Sequence, residues 1–498
     1  MTRSAIFRAD GSGQIGSGHI MRCRAIADFL QRAGWHCGYA VTRQTFDTVF
    51  AGMAPPHDVL LLENESWDDP TALAAQLETG CDLLVVDHYG LGKDYEAASR
   101  RWATRILAID DLADRHHDCD FLLDPGSEDS RATYDQMTPQ GCDLLLGPAY
   151  APLAQRYVEM RAKVLPRELS STAPRLLVNF GAADPTNAVS QALETLDEVA
   201  PEVKVDIVLG PAAPHLNEIR ERVGRVRERI QLHVGTDDMP DLIAVAGLAI
   251  GAGGVSAWER CCLGMPSILA ATADNQVQTI EAISAAGAAT RVELSKRQLA
   301  EALTRLLSDS EARQEMSVKA AALCDGRGLY RIGMRFEADI AAKDGEPVTL
   351  RPARKADSAI MLQWQSHPVT RRFSHNSEPP NSEAHHRWVA ERLLDPDCLF
   401  NIVEHRGVPA GVVRLDRRPV DGRAEERMLV SILTAPEKHG VGIGNAALAL
   451  ARLLAPEAQF KAKVLPDNKA SHALFKKAGY QWRRDAYYAD PEIGRHEA

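Results

Sequence analysis

Residues 4–33, SAIFRADGSGQIGSGHIMRCRAIADFLQRA, decide the fold, because a glycine-rich loop joins an apolar strand to a helix. The strand covers residues 4–8, the loop covers residues 11–19, and the helix extends to about residue 33. Glycines let the backbone turn tightly and approach a ligand, and the helix N-terminus favours an anion. The pattern predicts a Rossmann-like unit that binds a nucleotide, and a purely structural turn is the alternative interpretation.

Short, mostly apolar runs follow this unit in two successive sets. Such runs are typical of parallel strands that are buried on both faces. Asp87-His88-Tyr89-Gly90 and Asp110-Asp111 follow two of the runs, at the carboxyl edge where open α/β sheets bind ligands. The sets predict two Rossmann-like halves, residues 1–168 and 169–342, with a hinge near residues 165–174 and a substrate cleft between them. The runs are residues 83–86, 106–109, 121–123 and 144–146, then 176–180, 205–209 and 248–250.

A third domain is expected at residues 348–498. Residues 343–347, KDGEP, are predicted to be a linker that follows a long charged helix. Residues 348–353, VTLRPA, then begin a strand of an independent unit. A chain of 498 residues is long enough for two or three such domains.

The composition indicates a cytoplasmic protein that binds neither nucleic acid nor membranes. A net charge of −11 argues against a surface that neutralises nucleic-acid phosphates. The nine cysteines contain no CxxC pair, which favours a reducing compartment over a disulfide framework. The first residues lack the apolar core of a signal peptide. The uncharged residues 242–258 are fewer than the roughly 20 apolar residues of a membrane span.

His19 lies where the glycine loop enters the helix. The helix dipole disfavours an imidazolium at this end, so the ring is expected to stay neutral and able to accept a proton. A structural histidine is the alternative interpretation of this position.

Four motifs stand in order along the first two thirds of the chain: IGSGHIMR at residues 15–22, VDHYGL at 86–91, IDDLADR at 109–115 and WERCCLGMPS at 258–267. Together they resemble the UDP-sugar hydrolases of the pseudaminic acid pathway, which are relatives of the glycosyltransferases of the GT-B fold. The resemblance covers about residues 3–340. It implies removal of UDP from a diacetamido-trideoxy sugar, with water attacking the anomeric carbon.

By position, the resemblance makes His19 the general base that activates the water, a task that suits a pKa near neutrality. Asp10 and Tyr89 would orient the water or the sugar, with a packed core aromatic as the alternative for Tyr89. The first motif would contact the UDP-sugar through Gly16, Gly18 and Arg22.

The second half would bind the nucleotide. Gly253, Gly254 and Ser256 at a helix N-terminus would face the diphosphate, because backbone amides there balance phosphate charge. The Glu259 carboxylate would accept hydrogen bonds from the ribose hydroxyls, with a solvated helix charge as the alternative. The family pattern also places Asn275 and Gln276 near the sugar or nucleotide.

Two further observations concern the predicted UDP-sugar site: one departure from the family pattern, and the lack of a metal-binding motif. Residues 181–184, GAAD, depart from the more glycine-rich turn of the family. The histidine and aspartate pairs at residues 110–111, 116–117 and 237–238 lack a ligand spacing such as HExxH, so no metal is expected.

Two motifs mark the last domain. EKHGVGIGN at residues 437–445 follows a predicted strand at 429–434 and precedes a helix to about residue 454, and VLPDNKASHALFKKAGY occupies residues 464–480. The first resembles the loop Gln/Arg-x-x-Gly-x-Gly/Ala of the GNAT acyltransferases, whose backbone amides bind the pyrophosphate of acetyl-CoA, and the second resembles the end of the same fold. The resemblance assigns acetyl-CoA contacts to His439, Gly440, Gly442, Gly444, Asn468 and Ser471.

This domain departs from the family at two positions. His439 replaces the usual Gln or Arg, and Phe475 stands where a tyrosine often protonates the leaving thiolate, with Tyr480 as the fallback. Residues 362–372 and 385–389 resemble the substrate lobe of nucleotide-amino-sugar N-acetyltransferases. Arg371 and Arg372 would face a UDP diphosphate there, or are ordinary surface arginines.

The whole sequence therefore predicts an α/β protein, a GT-B-like pair of Rossmann-type domains followed by a GNAT α+β domain. Its expected partners are small molecules: a UDP-sugar, water, and acetyl-CoA as co-substrate. The GNAT domain would N-acetylate a UDP-4-amino-sugar, and the hydrolase would release UDP from the resulting diacetamido sugar of β-L-altro configuration. The alternatives are a GT-B glycosyltransferase, a nucleotide-binding regulatory module, and a protein N-terminal or ribosomal acetyltransferase.

Overall fold

The computed structural model of the chain describes residues 2–11, 18–49, 57–126, 128–169, 174–226, 228–337, 339–374, 376–419 and 426–491. Contacts within the chain divide it into two compact units, Met1–Leu329 and Tyr330–Ala498. Within the described ranges, no helix combines the length and the apolar character that a membrane crossing requires.

A seven-stranded parallel sheet forms the first half of the first unit. Its elements are β1 (Ser4–Ala9), α1 (Gly18–Arg32), β2 (His36–Thr42), α2 (Arg43–Val49), β3 (Asp58–Leu62), α3 (Pro70–Ala74), β4 (Cys81–Asp87), α4 (Lys93–Ser99), β5 (Ala103–Ile109), β6 (Phe121–Asp124), α5 (Arg131–Met137) and β7 (Asp143–Leu146). The strand order is β3-β2-β1-β4-β5-β6-β7. The order reverses between β1 and β4, so the crevice for a ligand lies at the carboxyl ends of these two strands.

A six-stranded parallel sheet forms the second half, in the order β10-β9-β8-β11-β12-β13. Here the order reverses between β8 and β11, which places the loops after these strands at the ligand edge. The elements are α6 (Gln155–Val164), β8 (Leu176–Asn179), α7 (Ala188–Val199), β9 (Val205–Leu209), α8 (Leu216–Gly224), β10 (Ile230–Val234), α9 (Met239–Val245), β11 (Leu248–Gly251), α10 (Val255–Cys262), β12 (Ser267–Leu269), α11 (Val277–Ala285), β13 (Ala289–Arg291), α12 (Lys296–Ser308) and α13 (Ser310–Leu323). The two sheets confirm the predicted pair of Rossmann-type folds.

Helix α6 lies before residue 168 in sequence but packs in the core of the second half, through Ala151 and Leu153 of the preceding loop and Tyr157 of the helix. Its Arg161 guanidinium donates to the backbone oxygens of Cys262, Ala321 and Cys324 at 2.6, 2.8 and 3.1 Å. The domain limits drawn from the sequence stay a prediction.

The second unit is a mixed seven-stranded sheet with helices, as the predicted GNAT domain requires. Its elements are α14 (Gly328–Glu337), β14 (Val348–Pro352), α15 (Ser358–Ser366), α16 (Pro368–Arg371), α17 (Ser382–Leu393), β15 (Cys398–His405), β16 (Val408–Pro419), β17 (Glu426–Thr434), α18 (Ile443–Leu454), β18 (Gln459–Ala462), α19 (Lys469–Lys477), β19 (Gln481–Arg483) and β20 (Ala486–Ala489). The strand order in the sheet is β14-β15-β16-β17-β18-β20-β19. The parallel strands β17 and β18 pair only from Arg427 to Leu429, whereas β17 stays paired with β16 as far as Thr434. The two parallel strands therefore part beyond Leu429, which opens the sheet beside the loop that follows β17.

Residues 343–347, predicted to be a linker, form a tight turn of the second unit. Ala341 and Pro347 form an antiparallel bridge, and the Ala342 amide donates to Glu346 O at 2.9 Å. Gly345 closes the turn with a φ of +81°, a conformation that only glycine adopts without strain. Ala342 also packs in the core of this unit, so the segment belongs to the folded domain.

Candidate active sites

His19 is buried in the first turn of α1, at the carboxyl end of β4. Its Nδ1 lies 3.2 Å from the backbone oxygen of Asp87 and 3.4 Å from the Asp87 carboxylate. A carbonyl oxygen only accepts, so Nδ1 carries the proton and Nε2 is left as the acceptor. Burial lowers the pKa of His19, Asp87 and Asp111 oppose this shift, and Arg22 acts in the same direction as burial. The ring is therefore neutral near pH 7, and burial is the main cause.

Arg22 lies in a buried network of carboxylates. Its Nε and Nη2 donate to the Asp87 carboxylate at 2.7 and 2.6 Å, and its Nη1 donates to Asp111 at 3.0 Å. Burial would lower the pKa of Arg22, but these carboxylates raise it well above the usual value. Arg22 thus fixes the position of the Asp87 carboxylate beside His19. Its contact with the UDP-sugar stays a prediction.

Tyr89 connects the first half of the unit to the second. Its ring meets His19 edge-on, with 4.7 Å between ring centroids. The Asn275 Nδ2 donates to the Tyr89 hydroxyl at 2.6 Å, and that hydroxyl lies 3.5 Å from Asp111 Oδ2. Tyr89 is half-buried, so the structure places it in a polar cluster with two of the predicted site residues, His19 and Asn275.

Asp10 lies just beyond β1 and is held by several donors. Arg8 Nη2 donates to it at 2.6 Å, the Thr45 hydroxyl at 2.7 Å, and the Thr42 hydroxyl and amide at 2.9 and 3.0 Å. Burial would raise the pKa of Asp10, but Arg8 and these hydrogen bonds bring it below its usual value. His88 Nε2 lies 3.6 Å from this carboxylate, and burial lowers the pKa of His88 to about 4. His88 is therefore neutral.

The N-terminus of α10 is open to a ligand. Gly254 precedes the helix, no described side chain caps it, and a Cβ added at Gly254 would meet no atom within 4 Å. Gly253 is tightly packed, because a Cβ there would lie 2.3 Å from Cγ1 of Ile280. The Ser256 hydroxyl accepts from Arg260 at 3.3 Å.

The N-terminus of α7, in contrast, carries an internal anion. The Asp184 carboxylate accepts hydrogen bonds from the amides of Ala188 and Val189 at 2.8 and 3.0 Å. A carboxylate in this position balances the helix dipole that would otherwise attract a phosphate. The Asp184 carboxylate already occupies this helix end. This explains why the GAAD sequence of residues 181–184 stands where the family has a more glycine-rich turn.

Glu259, one turn into α10, is half-buried rather than fully solvated. Burial raises its pKa, and a hydrogen bond from Tyr157 acts in the opposite direction. Gln276 lies before α11, where its Oε1 accepts from the Thr272 amide at 3.0 Å and stabilises the turn.

The remaining predicted residues of this site differ in their placement. Gly18 is exposed at the start of α1, with open space around it, and Gly16 lies outside the described residues. The sequence placed Asp87 and Asp111 at the ligand edge of the sheet but gave neither a role, and both contact the His19–Arg22–Tyr89 cluster. The available signal was their position directly after two continuous apolar strands.

The predicted acetyl-CoA loop joins β17 to α18 through two glycines in the left-handed region. Gly440 has a φ of +83° and Gly442 a φ of +103°. Gly442 precedes α18, where no described side chain caps the helix. His439 Nε2 lies 3.2 Å from Thr434 O, so its ring ties the loop to the end of β17. A Cβ at Gly444 would lie 3.2 Å from Leu474, which shows how closely α18 packs on α19.

Asn468 caps helix α19. Its Oδ1 accepts from the Ser471 amide at 3.0 Å, so Ser471 contributes its backbone to the cap and keeps its hydroxyl for other contacts.

The aromatic residues near α19 form a packed cluster. Phe475 is 3% exposed and stacks on Tyr487 with 5.6 Å between ring centroids. Tyr480 is equally buried and meets Phe475 edge-on at 5.2 Å. The Tyr487 hydroxyl lies 2.9 Å from His472 Nδ1, a pair that the sequence motifs did not indicate.

The predicted substrate lobe holds its arginines in different ways. Arg371 Nη1 donates to the backbone oxygens of Asn376 and Glu378, both at 3.0 Å. Arg372 is exposed and lies 5.3 Å from the centre of the Phe373 ring. Across the described part of both units, no group of three His, Cys, Asp or Glu side chains is arranged to hold a metal ion.

Comparison with known protein families gives one match in each unit. Residues 180–327 match the glycosyltransferase family 28 C-terminal domain, and residues 348–481 match the acetyltransferase (GNAT) domain. The two matches lie in the second half of the first unit and at the mixed sheet of the second unit.

Three relatives show similarity over longer stretches. A Campylobacter jejuni protein named UDP-2,4-diacetamido-2,4,6-trideoxy-beta-L-altropyranose hydrolase is 24% identical over 239 residues, 48% of this chain and 80% of its own. The spore coat polysaccharide biosynthesis protein SpsG of Bacillus subtilis is 25% identical over 65% of this chain and 95% of its own. An uncharacterised protein of Methanocaldococcus jannaschii is 21% identical over 95% of both chains. The chain thus combines a glycosyltransferase family 28 C-terminal domain with a C-terminal GNAT acetyltransferase domain, and its relatives include the UDP-sugar hydrolase and SpsG.

Proposed function

We propose that the first unit hydrolyses UDP-2,4-diacetamido-2,4,6-trideoxy-β-L-altropyranose to the free sugar and UDP. The proposal rests on His19, a buried neutral imidazole whose Nδ1 is tied to Asp87 and whose ring contacts Tyr89. The name of the Campylobacter jejuni relative supports the choice of sugar. The second unit would N-acetylate the UDP-4-amino-sugar precursor with acetyl-CoA, so one chain would catalyse two consecutive steps of the pseudaminic acid pathway.

In the proposed hydrolysis, His19 Nε2 takes a proton from water while the water oxygen attacks the anomeric carbon. The bond between the anomeric carbon and the β-phosphate oxygen breaks, and this oxygen leaves with UDP. Asp10, Tyr89 and Asn275 would orient the water or the sugar. A neutral base suits this step at cytoplasmic pH, because it can accept a proton without first losing one.

The leaving UDP would be stabilised by the second half of the unit. The open N-terminus of α10 at Gly254 offers backbone amides to the diphosphate, where negative charge develops as the bond breaks. Glu259, one turn later, would accept hydrogen bonds from the ribose hydroxyls. The capped N-terminus of α7 makes α10 the better phosphate site of the two.

In the proposed acetyl transfer, the 4-amino group attacks the thioester carbonyl carbon. The carbon–sulfur bond breaks, CoA leaves as a thiolate, and the amine proton passes to water as the amide forms. The opening between β17 and β18 and the glycine loop before α18 support acetyl-CoA binding. Phe475 and Tyr480 are both buried, so no hydroxyl is assigned to protonation of the thiolate.

Hydrolysis in H₂¹⁸O tests the proposal for the first unit. The full-length protein is incubated with the UDP-sugar and no acceptor, and the products are analysed by mass spectrometry. Release of UDP without label, together with ¹⁸O in the free sugar, is expected, because water attacks carbon rather than phosphorus. Label in UDP would contradict the mechanism.

A glycosyltransferase is the second candidate, because residues 180–327 match a glycosyltransferase domain. A transferase needs an acceptor other than water, so it would release little UDP in the same incubation. For the second unit, acetyl transfer to the UDP-4-amino-sugar is compared with transfer to peptides. Preference for a peptide amine would favour a protein acetyltransferase and reject the proposed acceptor.

A further inference from the structure

Lys343, in the turn at residues 341–347, contacts the predicted acetyl-CoA loop. The Lys343 Nζ donates to the Gly440 backbone oxygen at 2.7 Å. The Lys343 backbone amide donates to the Val441 oxygen at 2.8 Å. Two successive carbonyl groups of the loop therefore point at the same residue.

These two contacts fix the direction in which the loop presents its amides. In a trans peptide the C=O and the following N–H lie in one plane and point in opposite directions. Because Gly440 O and Val441 O face Lys343, the amides of Val441 and Gly442 point to the other side of the loop, where the Val441 amide also makes a long hydrogen bond of 3.5 Å to Lys438 O. Successive amides that face one side form a concave anion site at the N-terminus of α18.

We propose that Lys343 is a positioning residue for the pyrophosphate of acetyl-CoA, an inference that rests on the proposed acetyl transfer. Lys343 binds the carbonyl side of the loop, so that the loop amides on the opposite side are aligned before the cofactor binds. The ammonium group has no carboxylate partner among the described residues, and its charge also favours an anion on the far side of the loop.

The surrounding contacts keep Lys343 in place. The neighbouring Asp344 carboxylate lies 3.2 Å from His405 and 3.6 Å from Arg406, so the turn is anchored to the sheet. A Cβ at Gly442 would lie 3.0 Å from Lys343 Cγ and 3.2 Å from its amide nitrogen. The absence of a side chain at Gly442 thus permits the close approach of Lys343, in addition to its φ of +103°.

The test uses the full-length protein with Lys343→Ala, Lys343→Arg and, as a matched control, Lys355→Ala, which removes another exposed lysine of the same unit. Dissociation constants are measured by calorimetry for acetyl-CoA and 3′-dephospho-acetyl-CoA. The dissociation constant of acetyl-pantetheine, which lacks the pyrophosphate, is measured by competition at millimolar concentration. Thermal melting without ligand compares the stability of the variants.

Lys343→Ala is expected to weaken acetyl-CoA and 3′-dephospho-acetyl-CoA binding by a similar factor, about three- to tenfold, as one hydrogen bond predicts. Acetyl-pantetheine should bind as it does to the wild type, Lys343→Arg should recover most of the affinity, and Lys355→Ala should change nothing.

Three results would overturn the inference. Equal weakening of acetyl-pantetheine would mean that Lys343 only supports the fold. An effect confined to acetyl-CoA would mean that Lys343 binds the 3′-phosphate directly, and unchanged affinity would mean that it does neither. A wild-type protein that does not bind acetyl-CoA would instead reject the proposed function of the unit, which is a distinct outcome.

Discussion

The proton affinity of His19 depends on three charged neighbours as well as on burial. Asp87 alone would favour the imidazolium, and a charged ring cannot act as a base. Arg22 binds Asp87 with two hydrogen bonds and so weakens this effect. The guanidinium thus allows a carboxylate to orient the ring through Nδ1 without keeping it protonated.

The pH dependence of hydrolysis tests this balance. We expect kcat/KM to rise through one acidic limb whose apparent pKa lies below 6.5, because burial disfavours the protonated form of His19. The rate should fall only as pH drops through that pKa, since the base acts when neutral. His19→Gln should remove the limb and lower the rate by about 10²- to 10⁴-fold, with UDP affinity unchanged. A limb that survives in His19→Gln would assign the titration to another group.

The hydrogen bond between Asn275 and Tyr89 should appear as coupling between two mutations. Tyr89→Phe and Asn275→Ala each remove this 2.6 Å contact. When each loss of kcat/KM is converted to a free energy, the loss of the double variant should therefore be smaller than the sum of the two single losses. We expect a coupling energy of about 0.5–3 kcal/mol, as found for residues in direct contact. Tyr89→Phe with Gln276→Ala is the control pair, because Gln276 bonds to Thr272 instead. Additive losses for Tyr89 and Asn275 would mean that the contact does not form in solution.

At the scale of the elements, buried arginines complete the ends of several helices. The last carbonyls of a helix have no partner within it and must find donors elsewhere. Arg161 supplies donors to the ends of α10 and α13. Arg167 does so in the last turn of α9, through the oxygens of Ile243 and Ala244. These side chains hold α6 and the following loop against helices α9, α10 and α13.

Arg161→Met should therefore destabilise the protein well beyond the loss of one surface contact. It leaves buried carbonyls without donors, which costs about 1–3 kcal/mol for such a group. We expect a clear fall in the urea midpoint, measured by far-UV circular dichroism on the full chain. The control is Arg297→Met, because its exposed ion pair with Glu301 at 3.0 Å contributes about 0–1 kcal/mol. Equal midpoints for the two variants would contradict the role of Arg161.

Local patterns predicted the strands and loops well, because their causes are local. Residues 83–86 and 248–250 are continuous apolar runs, and they form the centres of β4 and β11. The glycine loop before α18 was found from its resemblance to the GNAT loop motif. The packing of α6 and the Asp87–Arg22 pair join residues far apart in sequence, so no local pattern reveals them. The turn that holds Lys343 was missed because Asp-Gly and a proline are equally typical of linkers.

At the scale of the molecule, both proposed sites act on one uridine nucleotide sugar. The product of the proposed acetyl transfer would be the substrate of the proposed hydrolysis, so a shared chain would tether the second site to the source of its substrate. In this proposed order, hydrolysis depends on the product of the acetyl transfer. Loss of one should change which compound accumulates, and not only the overall rate.

His19→Gln tests this order in the full-length protein. Given acetyl-CoA and the UDP-4-amino-sugar, the variant should convert the amine to the N-acetylated UDP-sugar and stop there, because the proposed acetyl-CoA site lies in the other unit. The wild type should proceed to free sugar and UDP, and NMR follows both anomeric signals. Without acetyl-CoA, the wild type should release little UDP, since the un-acetylated sugar is not the proposed hydrolase substrate. Equal UDP release with and without acetyl-CoA would mean that hydrolysis does not depend on acetylation, and the two sites would then act on separate substrates.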